Sequence, residues 1–541
     1  MSRDGAGEQM LVVATAGKGH RGSFRRAIAR TGISLVALTA ASCTVGPDYH
    51  RPVSPLNPLG WFSNRPPLTA ASQPVAKPAD IAWWESFRDP ELNSLEQRAA
   101  SQNLDVQTAT IRVAEARYSV GVTAAGFFPT ASGSAVGAYV KPSDNGLSLG
   151  GGAPSASSTG QSSGSSDINP LSIYQYGFDA MWSVDLWGKV RRQVEAGNAQ
   201  LEATEEERRG VLIQTIAEVA RDYIQLRNAQ AQLIIAQNNV KTAQNLLSLT
   251  QQRATAGLTN ELDVAREQAQ LDTTLATLPL AEQQVAAQIN ALSLLLGEGP
   301  NALRSELQQT EVVPPTPPKI PIGLPSELLR RRPDIVAAEA NLHAATANIG
   351  VAVAAFFPSF NLLGSFGFQA DNTENLFNLA ARTYILGGAV SVPIFEGGKL
   401  VDTLHLRRQQ QREMMIAYDK TVLQAFSDVD NALTAYDKEQ QRRRVLRKAV
   451  QANEQALGLA QQRYTEGIAT YLDVLNAQQA VLTTQRDYQD STAKVATNLV
   501  ALYLALGGGW EDVFPTPGIE APPNASVGQT LKTAITRGNA S

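Results

Sequence analysis

The chain has 541 residues with a formal net charge of −4 and 18 % charged side chains, so no global basic field points to nucleic acid. Aromatics make up only 6 %, while Ala, Gln and Leu crowd the long middle stretches, a mixture that suits long helices with narrow apolar seams rather than a thick enzyme core. Cys43 is the single cysteine, which excludes internal disulfides and cysteine-built metal sites.

Residues 1–42 read as an export signal. Arg21, Arg25, Arg26 and Arg30 form a basic region, and Ile33 to Ala41 form a short apolar region ending in small residues. That apolar run is too short for a permanent membrane helix, which needs about 20 residues. Translation can start at Met1 or at Met10, which lies closer to the charged region. Ala40-Ala41-Ser42-Cys43 resembles a lipobox, in which the cysteine becomes the acylated first residue, although lipoboxes usually carry Leu where Ala40 stands. A plain signal peptide followed by a chance cysteine is the competing reading. Residues 43–91 then form an N-terminal segment, lipid-anchored if Cys43 is acylated.

Two repeats follow, at 92–312 and 326–508. Gly121-Val122-Thr123-Ala124-Ala125-Gly126-Phe127-Phe128-Pro129 returns 229 positions later as Gly350-Val351-Ala352-Val353-Ala354-Ala355-Phe356-Phe357-Pro358. Gly188-Lys189, Arg253, Gly257, Leu262-Asp263-Val264 and Leu296-Gly297 all return 210 positions later. The 19-residue difference marks an insertion in the first copy, and Ser143 to Asp167 is Gly/Ser-rich and nearly uncharged, so 142–168 is expected as a flexible loop. Each copy should run helix, two strands, very long helix, turn, returning helix. In the first copy the strands flank the insertion: Thr130 to Val140 is mostly small, while Tyr174 to Leu186 alternates, with Tyr174, Tyr176, Phe178, Ala180, Trp182, Val184 and Leu186 on one face. The long helix carries Leu212, Val219, Leu226, Leu233, Val240, Leu247 and Ala254 at heptad spacing, and its return carries Val264, Leu271, Leu278, Val285 and Leu292. About 65 residues at 1.5 Å each make roughly 100 Å of helix. The segment 313–325 is a Pro-rich linker. The second copy repeats the alternation in Phe360 to Phe368 and in Tyr384 to Ile394, and the heptads in Val474, Val481, Tyr488, Val495 and Leu502. The tail, 509–541, has no periodicity.

With no apolar stretch long enough for a helical span, any membrane crossing must be made by strands. Four strands cannot cross alone, because every backbone N–H and C=O in lipid needs a partner and the sheet must close. Two chains would give eight strands, whose interior side chains fill it; three would give twelve strands and a lumen. The expected fold is therefore an α+β membrane protein, a long α-helical coiled-coil barrel with four strands per protomer completing a twelve-stranded barrel in a homotrimer. No catalytic, cofactor or metal constellation stands out. His20, His50, His343 and His405 are scattered, and no HExxH, GxSxG or phosphate-loop pattern occurs. A periplasmic coiled-coil scaffold is the reading from a different class.

Leu328-Leu329-Arg330-Arg331-Arg332-Pro333-Asp334-Ile335 resembles a signature of outer-membrane efflux factors of the TolC/OprM type, NodT branch. So do Cys43-Thr44-Val45-Gly46-Pro47-Asp48-Tyr49, Val184-Asp185-Leu186-Trp187-Gly188-Lys189 and Ala505-Leu506-Gly507-Gly508-Gly509-Trp510. The resemblance implies a passive exit duct in the cell outer membrane, not an enzyme, anchored in outer-membrane lipid and docked to a periplasmic adaptor (membrane fusion) protein and an inner-membrane pump, commonly of the resistance-nodulation-division type. A type I protein-secretion duct shares that architecture. It further implies adaptor-docking tips at Gly257, Leu258, Gly467 and Ile468, and a periplasmic gate at Asp473, Tyr464 and Asp263. In this scheme three copies of Asp473 ring the entrance, and Tyr464 latches one hairpin to the other through Asp263. The arginine that accompanies the family's latch tyrosine is Ala469 here, and a second acidic position is Asn476.

Overall fold

The computed structural model describes residues 44–52, 73–75, 82–140, 171–317, 319–321 and 330–509. Cys43, the export signal, the 142–168 loop, the later part of the linker and the tail from 510 lie outside them. The elements in chain order are β1 (Gln73–Val75), α1 (Pro90–Gln102), α2 (Leu104–Ala124), β2 (Thr130–Val140), β3 (Leu171–Val184) and α3 (Lys189–Thr255). Then come α4 (Glu261–Leu275), α5 (Thr277–Leu295), α6 (Arg304–Leu307), β4 (Lys319–Pro321) and α7 (Pro333–Ala354). The chain continues through β5 (Ser359–Ala370), β6 (Arg382–Ser391), α8 (Lys399–Thr465) and α9 (Tyr471–Leu506). Two compact units result, one built on β2, β3, β5 and β6, the other on the helices.

In the strand unit the order is β2-β3-β5-β6, antiparallel throughout. The register aligns the alternation of each strand. Tyr176 faces Phe368, Phe178 faces Phe366, Trp182 faces Leu362, and Phe366 in turn faces Tyr384. Because side chains alternate with a period of two, one face of the sheet collects the aromatics. Phe178, Tyr384 and Leu386 on that face are 69 %, 72 % and 90 % exposed in the single chain, so the apolar face has no cover of its own. The other face pairs Gln175 with Gln369, Asp179 with Ser365 and Ser183 with Asn361. Gly177 and Gly367 sit opposite each other there, and a Cβ on Gly177 would lie 2.8 Å from the Phe366 carbonyl oxygen, so the close backbone approach needs glycine. β3 starts earlier than its alternation suggested and ends at Val184, two residues short of Leu186. β6 ends at Ser391 although Val392 and Ile394 continue the pattern, because Pro393 has no N–H for the ladder.

The segment around Val45 is tied to this unit. The Val45 N–H donates to the Trp187 carbonyl at 3.2 Å, and Arg192 Nε donates to the Val45 carbonyl at 3.3 Å. The Trp187 indole donates to the Pro358 carbonyl at 2.7 Å.

In the helical unit α3 and α8 are each 67 residues long, which at 1.5 Å per residue is roughly 100 Å. Their seams are buried as the heptads require: Val219 and Leu226 are fully buried, and Ala229, Ala236 and Ala243 let neighbouring helices approach. The returns differ. α9 is one helix of 36 residues, whereas the earlier return is interrupted at Ala276 between α4 and α5. Pro279 explains this, since it cannot donate to the Leu275 carbonyl; Gln489 stands 210 positions later. The main core gathers Trp83, Trp84 and Phe87 against α3, α8 and α9. The Arg-Pro-Asp run has a mechanical reason. Arg332 donates to Asp334 at 2.7 Å, to Asp428 on α8 at 3.1 Å and to the Ala505 carbonyl at the end of α9 at 3.1 Å. Among the described residues no helix is long and apolar enough to cross a bilayer.

Glu91, in the first turn of α1, is pushed from 4.5 up to about 7 by burial first and then by the facing Glu306 carboxyl. Its folded-state value is raised, so the folded chain keeps a proton that the unfolded chain loses. Stability is therefore highest below about pH 4.5 for this group and declines as pH rises toward about 7. Thermal unfolding of the detergent-purified protein should show this decline, and Glu91→Gln should flatten it; identical pH slopes would refute the assignment.

Candidate functional site

The residues expected to act lie at the two turns that end α3 and α8. Both turns close alike. The Gly257 N–H donates to the Ala254 carbonyl at 2.9 Å and the Leu258 N–H to the Arg253 carbonyl at 2.8 Å. In the second turn the Gly467 N–H donates to the Tyr464 carbonyl at 3.1 Å and the Ile468 N–H to the Arg463 carbonyl at 2.9 Å. The glycines have φ of +71° and +78°, the left-handed conformation that stops a helix and reverses the chain. A Cβ on either would meet nothing within 4 Å, so φ and not space selects glycine. Each turn presents an apolar side chain to solvent, Leu258 at 66 % and Ile468 at 65 % exposure.

Asp473 belongs to a capping box at the start of α9. Its Oδ2 accepts from the Thr470 N–H at 2.9 Å and from the Thr470 hydroxyl at 2.8 Å. Those two donors hold its carboxyl below the usual range, and the group is otherwise in solvent. Asp263 is held locally as well. Its Oδ2 accepts from the Thr259 hydroxyl at 2.7 Å, and Arg266 lies 3.7 Å from its other oxygen. Both carboxylates therefore have a structural part to play in starting a helix, as their positions beside a helix N-terminus allow.

The expected Tyr464–Asp263 latch is not formed in this structure. The Tyr464 hydroxyl is buried and has no hydrogen-bond partner among the described residues. Its ring instead supports Arg253, whose guanidinium carbon lies 4.7 Å from the ring centroid and whose Nη1 donates to the Thr465 carbonyl at 2.9 Å. A second tie between the hairpins is the Tyr471 hydroxyl, which donates to Glu267 on α4. Sequence reasoning passed over Arg253, Glu267 and Tyr471 as site residues. Glu267 lies on a helix rich in polar residues, yet it is fully buried.

The family profile described as "Outer membrane efflux protein" matches residues 95–298 and 324–508. The chain is 31 % identical over 484 residues to the outer membrane protein OprJ of Pseudomonas aeruginosa, covering 88 % of this chain and 95 % of that protein. It is 30 % identical over 487 residues to the probable outer membrane lipoprotein SilC of Salmonella typhimurium, covering 88 % and 98 %. Among solved structures it resembles the outer-membrane channel OprN, with a TM-score of 0.75 and 32 % identity over 88 % of this chain and all of the other.

Tyr464→Phe removes a hydroxyl with no hydrogen-bond partner among the described residues, so thermal stability of the purified protein should stay within about 0.5 kcal/mol of the parent or rise. Arg253→Ala removes a hydrogen bond and a cation–π contact and should cost about 1–2 kcal/mol. The opposite ranking in thermal unfolding would place the working contact on the tyrosine hydroxyl.

Proposed function

This chain belongs to the outer membrane efflux protein family, and from that premise we propose that it is the outer-membrane channel subunit of a tripartite efflux system. It is a passive duct for small toxic compounds. Relatives carry names that fit, among them a solvent efflux pump outer membrane protein of Pseudomonas putida at 32 % identity. The observation that carries the reading is the two-faced sheet. Its strands of 10 to 14 residues suit a tilted bilayer crossing, which takes roughly 9–11. One face is aromatic and exposed, the other mixes polar side chains with Met181, Leu363 and Ile385, and β2 and β6 end the sheet. Three copies joined edge to edge give a twelve-stranded barrel with the aromatic face to lipid. The two halves of the chain, with their paired 67-residue helices and matching turns, are read as a duplicated unit.

Cys43 is the acylated anchor in outer-membrane lipid, and the exposed apolar tips at Gly257, Leu258, Gly467 and Ile468 are the surface offered to a periplasmic adaptor. That adaptor connects the duct to an inner-membrane pump of the resistance-nodulation-division type, which supplies the energy. Asp473 lines the periplasmic entrance as a ring of three carboxylates, with Asp263 and Tyr464 beside it. Its solvent-facing position and lowered pKa favour the charged form that would attract cations.

Membrane fractionation followed by mass measurement of the detergent particle tests the assembly: an outer-membrane trimer is expected, and a soluble monomer or dimer would refute it. Asp473→Ala should lower the cation selectivity of the channel in planar bilayers while leaving the trimer mass unchanged. Unaltered selectivity would sink the carboxylate ring.

A further inference from the structure

At one end of the strand unit the exposed aromatic face carries a cation. β6 opens with Arg382, which shares a face with Tyr384 and Leu386 by the alternation of two and stands opposite Phe368 in the register. Phe368 stacks on Tyr176 with ring centroids 5.2 Å apart, and the Phe377 ring lies 5.6 Å from that of Tyr176. Phe377 and Leu379, in the connection from β5 to β6, are 76 % and 72 % exposed. Arg382 is exposed too, and its guanidinium makes no ion pair among the described residues.

The connection is tied by its own hydrogen bonds. Asn372 Oδ1 accepts from the Asn375 N–H at 2.9 Å, and Asn378 Oδ1 accepts from the Ala380 N–H at 3.0 Å. The Ala381 N–H then donates to the Asn378 carbonyl at 2.9 Å, so the chain enters β6 from a defined turn. Because α7 leads into β5 and β6 leads to α8, this connection joins the strand ends that carry no helix.

A guanidinium on a lipid-facing strand is far costlier at the middle of a bilayer than at its rim, and exposed aromatic rings favour the same rim. Arg382, at the end of its strand and beside such rings, therefore belongs at headgroup depth. An unpaired arginine there meets lipid phosphates, whose oxygens match its fork of donors. Asp371 and Glu374, both exposed in the same connection, disfavour an anion, so no general positive field draws it and the attraction falls to Arg382.

Resting on the channel reading above, which puts this face against lipid and the helices in the periplasm, we propose that Arg382, Phe377 and Leu379 form a binding site for a phosphorylated glycolipid of the outer leaflet. Arg382 takes the phosphate, and the two apolar side chains lie against the start of the acyl chains. The site fixes the depth of the sheet at the outer surface and takes no part in the passage of cargo.

The test uses the full chain purified in detergent, mixed with micelles that carry diphosphorylated lipid A, with retained lipid counted by native mass spectrometry. Arg382→Gln should require about tenfold more lipid for equal retention, the low end for a lost hydrogen bond to a charged group, and Arg382→Lys should fall between. Dephosphorylated lipid A should be held by the parent no better than the phosphorylated form is held by Arg382→Gln. Asp371→Asn combined with Glu374→Gln should tighten retention about twofold. A trimer that holds the lipid equally well with and without Arg382 would overturn the site and leave the channel reading standing. Displacement by an equal concentration of inorganic phosphate would make this a site for the free ion and overturn the lipid assignment. A soluble monomer that takes up no lipid would defeat both readings together.

Discussion

Along β2 and β6 the backbone N–H and C=O groups that face outward have no strand beside them within the four-stranded sheet. In water such edges are hydrated; in hydrocarbon each unpaired group costs several kcal/mol, so a sheet this narrow has to close with others. Much of the strand unit answers to that requirement. The uncovered aromatic face suits lipid, the polar face suits a wet interior, and the Gly177–Gly367 pair lets adjacent strands come close on the polar side.

The helical unit solves a different problem. A helix of 67 residues cannot be stabilised by one globular core, so its apolar side chains are spread along seams with alanine where backbones approach. The thicker core around Trp83, Trp84 and Phe87 anchors only part of that length. Arg332 adds a fixed point, joining the start of α7 to α8 and to the last turn of α9. Gly507, with φ of +69°, leaves room for its side chain, since a Cβ there would lie 2.7 Å from Arg332 Cγ.

The large features were legible because they depend on period and repetition. Alternation every two residues located β3, β5 and β6, the flank of the Gly/Ser-rich insertion located β2, heptads located α3 and both returns, and repetition located α8. The two turns were found from recurring Arg253/Arg463 and Gly257/Gly467. What escaped depends on three-dimensional company. Pro279 splits one return and not the other, a local veto on a heptad that otherwise runs straight through. Glu267 carries a charge on a helix rich in polar residues, and nothing in its spacing distinguishes it from a solvated neighbour. The bond from Tyr471 to it joins residues 204 positions apart, and no pattern along the chain encodes that meeting. Tyr464 was recognisable by motif, but the partner it would take was not, and its hydroxyl has no hydrogen-bond partner among the described residues.

The break at Ala276 also separates the two hairpins as mechanical parts. A helical ladder missing a rung flexes there, while an unbroken one carries a bending load along its whole length. α9 is therefore the uninterrupted spar, while between α4 and α5 the chain keeps helical dihedrals at Ala276 but lacks a rung. From the turn after α3 the missing rung lies about 20 residues away, roughly 30 Å, whereas from the turn after α8 the ladder runs unbroken along α9 to the Arg332 clamp. The two halves of the chain, so alike in outline, thus differ in the continuity of the helix that returns from each turn.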